Sequence, residues 1–135
     1  MQERTRISAI IIQNNRILFV AEDKEKLFRE PGGRPNGNET HEETLKREIK
    51  EELGLDVTWT NFFGEYTGKL LFTHEDILVK NYVYVVSAKW KIHLGHEIKY
   101  FVRLSKDDIH QDIYPLLPVT KNQIIPDLIK AGIFI

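Results

Sequence analysis

Glu48, Glu51 and Glu52 are the residues of this sequence whose type and spacing invite chemistry. At i, i+3 and i+4 they project three carboxylates from one face if the segment is helical. Like charges at that spacing repel by a few tenths of a kcal/mol per pair. They also crowd the end of the segment, where a helix dipole disfavours negative charge. A solvated acidic face is the ordinary reading of a Glu-rich helix, but a helix shaped for stability alone would avoid both costs. A divalent cation reverses the sign of each. Hard carboxylate oxygens suit Mg²⁺, with Mn²⁺ as the alternative, and a chain without Cys has no thiolate zinc site.

The helix that must carry them has clear ends. Thr40-His41-Glu42-Glu43 reads as a capping box. Gly54 stands where a left-handed residue would close the helix, with Leu55 as the apolar contact just beyond. Glu42–Lys46 and Glu43–Arg47 are spaced as i, i+4 ion pairs in the stabilising order. Leu45, Ile49 and Leu53 form an apolar stripe, and successive residues are rotated by about 100°. The stripe predicts a helix anchored on a sheet while the carboxylates face a cleft. Just upstream, Pro31-Gly32-Gly33 predicts a tight turn whose bare backbone can approach a metal or phosphate closely.

The whole stretch resembles the signature of the Nudix hydrolases, G-x5-E-x7-R-E-U-x-E-E-x-G-U, with U a bulky aliphatic. Gly33, Glu39, Arg47, Glu48, Ile49, Glu51, Glu52, Gly54 and Leu55 fill every fixed position. A chance match is on the order of one in ten million at ordinary residue usage. Asn36, Gly37 and Asn38 occupy variable loop positions where many members carry a Glu and then a Gly. The resemblance implies an α/β/α sandwich around a mixed β-sheet. Glu51 and Glu52 are the first choice of Mg²⁺ ligands, with Glu48 next; the resemblance adds the Gly32 carbonyl and implies catalytic roles for Glu39, Arg47 and Glu48, with Arg47 and Glu39 as an orienting ion pair for the catalytic carboxylate. An acidic residue in a late loop often completes the site in this family. Glu97, ahead of Tyr100-Phe101, is the first choice, and Glu75 the second.

The remainder of the chain must supply the sheet. Its 135 residues suit one domain, spanning 1–135. Ile7 to Ile12 and Ile17 to Ala21 are apolar runs flanking Asn14-Asn15, a pair that tolerates the positive φ of a tight turn, and so predict a β-hairpin. Val57 to Tyr66 reads as a strand with an irregular middle that Lys69 to Thr73 could continue. Asn81 to Ala88 reads as a strand from its β-branched and aromatic content, and Ile98 to Val102 as a short one. Ser105 is placed to cap a short helix. Thr120 is placed to cap a final amphipathic helix, in which Pro126 should cause a kink or restart. Strands with one long helix after the hairpin and one at the end give an α+β class by pattern.

Composition narrows the partners. A formal net charge of -1 argues against broad nucleic-acid binding. No apolar run is long enough to span a membrane, no signal-peptide pattern opens the chain, and zero Cys fits a cytoplasmic location. The five His residues lack zinc-motif spacing. Phe28, Phe63, Tyr66, Tyr82 and Trp90 could stack on a base, though core packing is the commoner role.

These features together predict a Mg²⁺-dependent pyrophosphohydrolase that cleaves a diphosphate linkage in a small nucleotide, acting as a monomer or homodimer. A nucleoside triphosphate, with an oxidised base included, ranks first. Small size favours it, and Val57 to Ile113 lacks the downstream Pro that often marks the family's ADP-ribose enzymes. An ADP-ribose or nucleotide-sugar pyrophosphatase ranks second. A non-catalytic nucleotide-binding regulator of the same fold is the rival class; such a protein should have lost part of the carboxylate set, and here it is complete.

Overall fold

The computed structural model describes residues 2–23, 27–69, 77–89, 91–95 and 98–135. Strand β1 (Gln2–Gln13) turns at Asn14-Asn15, both with positive φ, into β2 (Arg16–Ala21). A two-residue strand β3 (Gly32–Gly33) precedes helix α1 (His41–Leu53). Two long strands follow, β4 (Asp56–Lys69) and β5 (Ile77–Lys89). Strand β6 (Tyr100–Leu104) leads into the short helix α2 (Lys106–His110). A π-helical turn, Thr120–Ile124, then runs into α3 (Ile125–Lys130).

The sheet order is β4-β5-β1-β2-β6, with β3 paired to β1 off this path. It is mixed: β1 and β5 run parallel, and every other pair is antiparallel. One long edge of β1 is shared. Its end pairs with β2 at Ile12 and Gln13, while Ile7 and Ser8 pair with Gly33 and Gly32. The expected isolated turn at the glycines is therefore a short strand built into the sheet.

Alternation along β1 and β2 separates two cores, one on each face. Ile7, Ala9, Ile11, Leu18 and Val20 pack with Leu45, Ile49 and Leu53 of α1, whose stripe is fully buried. Ile10, Ile17 and Phe19 pack on the opposite face with Ile124, Ile125, Leu128 and Phe134. A sheet between helical layers is the α/β/α sandwich expected of the sequence.

Several local expectations change. Strand β1 starts at Gln2 rather than Ile7, because its polar first half pairs with β5 from Gln2↔Ile77 to Ile11↔Val86. That partner is distant in the chain. β4 carries the expected irregularity as register shifts at Val57/Trp59 and Phe62/Gly64; its proposed continuation through Thr73 lies mostly outside the described residues. β6 begins at Tyr100, two residues later than expected, and Ile98 goes into the core instead. Thr120 does not cap the last helix. It is fully buried, and its hydroxyl donates to Glu30 Oε1 at 2.6 Å. Pro126 lies in the first turn of α3, where its missing N–H costs nothing, so the π-turn restarts as an α-helix there.

Gly32 has φ 147°, and a Cβ there would stand 2.1 Å from the Ile7 carbonyl oxygen. Gly37 has φ 53° but open space around it. Gly32→Ala should therefore cost at least about 2 kcal/mol, while Gly37→Ala pays only the left-handed backbone, about 1 kcal/mol. Urea unfolding of the two variants checks this; equal losses would mean that the close approach of β3 to β1 contributes nothing.

Candidate active site

Helix α1 is fixed at both ends before it presents anything. The Thr40 hydroxyl accepts from the Glu43 N–H, and Glu43 accepts from the Thr40 N–H at 2.9 Å, completing the capping box. Gly54 closes the helix with φ 69°. The terminal carbonyls of Glu52 and Leu53 accept from the Gly95 and His93 N–H groups, so the 91–95 loop is tied to the helix C-terminus.

Arg47 is the hub of the acidic face. Its Nε and Nη2 donate to the two oxygens of Glu39 at 2.8 and 2.9 Å. Nη1 donates to Glu48 at 2.7 Å and to Glu51 at 3.2 Å, and Nη2 also reaches the Arg34 carbonyl at 2.9 Å. All the N–H groups of the guanidinium fork are thereby used. Glu39 accepts further from the Asn36 N–H at 2.7 Å. The hydrogen bonds from Arg47, and then from Asn36, draw the Glu39 carboxyl from its ordinary 4.5 down to about 2. Arg47 is raised in turn, chiefly by Glu39.

The expected Arg47–Glu39 pair is present. The expected Glu43–Arg47 pair is not, because Glu43 is engaged by the cap and Glu39 offers Arg47 a bidentate partner. Glu42–Lys46 forms as expected at 3.2 Å.

Glu48, Glu51 and Glu52 diverge in environment although they share a face. Glu51 is the most open, with 35% of its side chain exposed, against 17% for Glu48 and 6% for Glu52. A Cβ on Gly33 would fall 2.4 Å from the Glu48 carboxyl carbon, so only a bare backbone fits beside that carboxylate. Glu52 turns inward and accepts from the Gly32 N–H at 2.8 Å. Burial pushes its carboxyl up, opposed by Arg29 and by the Gly32 N–H. Among the described residues no three acidic or His side chains converge as a ready-made metal cage. Arg47 holds Glu48 and Glu51, and Glu52 faces the sheet. Glu97 and Glu75 lie outside the described residues, as does Trp90.

Behind β3 is a cavity of about 380 Å³, a size that suits a small organic ligand. Its walls include Arg6, Arg29, Glu30, Asn81, Asn122 and Gln123, with apolar Val79 and Leu117 to Val119. Two buried polar links brace it: the Glu30–Thr120 bond, and Ser8 donating to Asn81 at 2.6 Å. Arg6 donates to the Glu30 carbonyl at 2.7 Å and to Ser8 at 3.1 Å. Burial, and then Arg29, lowers the Arg6 guanidinium to about 10. Apart from Thr120, which was expected to cap a helix, none of these residues stood out in the sequence. They come from β1, β5, the β2–β3 connection, the π-turn and the residues just before it, and no spacing rule links them. The only local sign was the charged pair Arg29-Glu30 directly before Pro31-Gly32-Gly33. Candidate stacking aromatics went elsewhere. Phe28 is in the core, Tyr66 donates to Asp127 at 2.7 Å, and Tyr82 packs on His41, which also bonds the Tyr84 hydroxyl.

Known proteins are similar to this chain in sequence and in fold. The NUDIX domain family matches residues 2–119. An 8-oxo-dGTP diphosphatase from Buchnera aphidicola subsp. Schizaphis graminum is 30% identical, with 95% of both chains covered. The solution structure of the E. coli ORF135 protein is similar in fold, with TM-score 0.76 and 22% identity over 97% of this chain and 94% of that one. A MutT protein from Methanosarcina mazei Go1 superposes with TM-score 0.78 and 16% identity, covering 96% of each chain. With every fixed position of the box filled and the domain matched across most of its length, the chain belongs to the Nudix hydrolase family and is a Nudix pyrophosphohydrolase.

Proposed function

We propose that this hydrolase acts on a nucleoside triphosphate, with the base in the cavity behind β3 and the phosphate chain directed to the glutamate face of α1. The observation that supports this reading is the contiguity of the two places through Arg29. Its side chain lines the cavity and stands 3.8 Å from Glu52. A compact nucleotide can therefore reach from one to the other. The cavity walls carry the side-chain amides of Asn81, Asn122 and Gln123, which suit the polar edge of a base. The Buchnera relative's name, 8-oxo-dGTP diphosphatase, makes oxidised purine triphosphates the first to test.

The donors fit a hard dication in kind: carboxylates only, on one helix face, beside a glycine backbone. Glu48, Glu51 and Glu52 would hold Mg²⁺ with the Gly32 carbonyl, and Glu97 would join from outside the box. Mg²⁺ bound there would turn a field that repels polyphosphate into an attractive one and acidify a coordinated water. The chain's own part is to aim the carboxylates. Arg47 fixes Glu48 and Glu51 from one side, and Glu39 fixes Arg47. In the reaction a water oxygen bonds to one phosphorus, and the bridging oxygen leaves with the other phosphorylated fragment.

A substrate panel with Mg²⁺, read by nucleotide and pyrophosphate release, tests the reading. Triphosphates should exceed ADP-ribose and nucleotide sugars in kcat/KM, with 8-oxo-dGTP among the best. A preference for ADP-ribose over every triphosphate would reverse the assignment. Glu52→Gln keeps an amide oxygen to accept the Gly32 N–H but removes a hard anionic ligand. It should lower kcat/KM at least ~100-fold, about 2.7 kcal/mol, and shift metal-free stability by no more than ~1 kcal/mol. Full activity in this variant would remove Glu52 from the site.

Glu39 sets a pH dependence. Its depressed carboxyl adds stability that is fully present above the ordinary 4.5 and disappears as pH falls toward 2. Unfolding curves taken down this range should show a loss in the wild type that is smaller in Glu39→Gln. Parallel losses in the two proteins would mean that the Arg47 bond does not favour the Glu39 anion.

A further inference from the structure

Arg29 stands between two carboxylates, Glu22 and Glu52. Its Nη1 is shut off from solvent and has no hydrogen-bond partner among the described residues. The facing Glu52 oxygen is 3.8 Å away, and Nη2 stands 3.8 Å from Glu22. Both distances are too long for hydrogen bonds. A buried guanidinium N–H left unpaired is costly, and a sealed Nη1 is out of a ligand's reach, so what Arg29 offers the cavity it lines is its charge and the exposed part of its side chain.

The same cavity wall carries a second guanidinium. Arg6 is turned toward it by its bonds to Ser8 and the Glu30 carbonyl. The two cations repel each other there, with Glu52, Glu30 and Glu48 as the carboxylates that offset this at Arg6. The charged side chain on that wall besides them, Glu30, has one oxygen engaged by Thr120. Guanidinium forks match phosphate oxygens in geometry and bind them as charge-assisted donors. The place also fits a phosphate, since it lies between the cavity and Glu52.

We propose that Arg6 and Arg29 form an anion clamp for the phosphate adjoining the nucleoside, a metal-independent subsite that positions the phosphate chain against the glutamate face. This rests on the nucleotide reading given above and names the groups that grip the nucleotide without metal. Arg29 and Arg6 supply the two positive charges on the cavity wall. Neither residue is in the Nudix box.

The test is equilibrium binding by calorimetry in EDTA, with 8-oxo-deoxyguanosine and its 5′-monophosphate as the first probes. The same pair for whichever base the substrate panel ranks first is the second set. The wild type should bind the monophosphate at least ~10-fold more tightly than the nucleoside. Arg29→Gln should lose most of that ratio with nucleoside affinity unchanged, and Arg29→Lys should keep part of it. Added salt should erode the wild-type ratio and leave that of Arg29→Gln nearly constant. A ratio unchanged in both variants would make Arg29 only a counterion of Glu52 and overturn the clamp. An equal fall in nucleoside and monophosphate affinity would assign Arg29 to the base instead, and would also overturn it. Hydrolysis by the wild type separates these failures from failure of the nucleotide reading: an active enzyme with no phosphate preference loses only the clamp, whereas a protein that neither binds nor cleaves nucleotides loses both.

Discussion

The structure depends on one guanidinium. Glu39, Glu48 and Glu51 would repel one another, and Glu48 and Glu51 stand toward the C-terminal end of α1, where the dipole disfavours them; Arg47 is the cation that lets them sit together, with bonds of 2.7 to 3.2 Å to all three. A lysine could neutralise the same charge, but its ammonium lacks the planar fork that grips Glu39 by both oxygens while reaching the others. The arrangement fixes direction as well as charge, since a carboxylate held by one oxygen keeps its other lone pairs available. The Coulombic strain that made Glu48, Glu51 and Glu52 conspicuous is thus relieved only in part. Glu52 receives a backbone N–H and a distant Arg29, and burial still pushes its carboxyl up.

The second constraint is steric. Gly32 and Gly33 form a strand because only a backbone without side chains fits between the Ile7 carbonyl on one side and the Glu48 carboxylate on the other. That contact transmits the position of the sheet to the acidic face. The buried stripe of α1 does the same from beneath, with Leu45, Ile49 and Leu53 against β1 and β2. Packing and chemistry therefore occupy opposite faces of one helix, and neither can shift without the other.

What could be read in the sequence was local. The capping box, the Gly54 terminator, the apolar stripe and the Asn14-Asn15 turn are each set by a few neighbouring residues, and each appears in the structure. The Nudix box made the Arg47–Glu39 pair readable as well. Features that depend on distant partners were not. The polar start of β1 gains its strand from β5, and Thr120, a good capping residue by type, is diverted to Glu30, ninety residues away in the chain. Glu43 had two plausible partners at helical spacing, and the cap won. The cavity was invisible for the same reason: Arg6, Arg29, Asn81 and Gln123 share no period and no motif, only a place in the fold.

The central claim is that the glutamate face of α1 exists to bind a divalent cation. It is tested most directly by titrating Mn²⁺ into the protein, with and without a non-hydrolysable nucleotide analogue, and following free Mn²⁺ by electron paramagnetic resonance. The wild type should take up the ion, Mg²⁺ should displace it, and a Glu51→Gln/Glu52→Gln variant that retains its fold should lose most of the uptake. Uptake equal in the wild type and the folded double variant, or none by the wild type even with the analogue present, would contradict it.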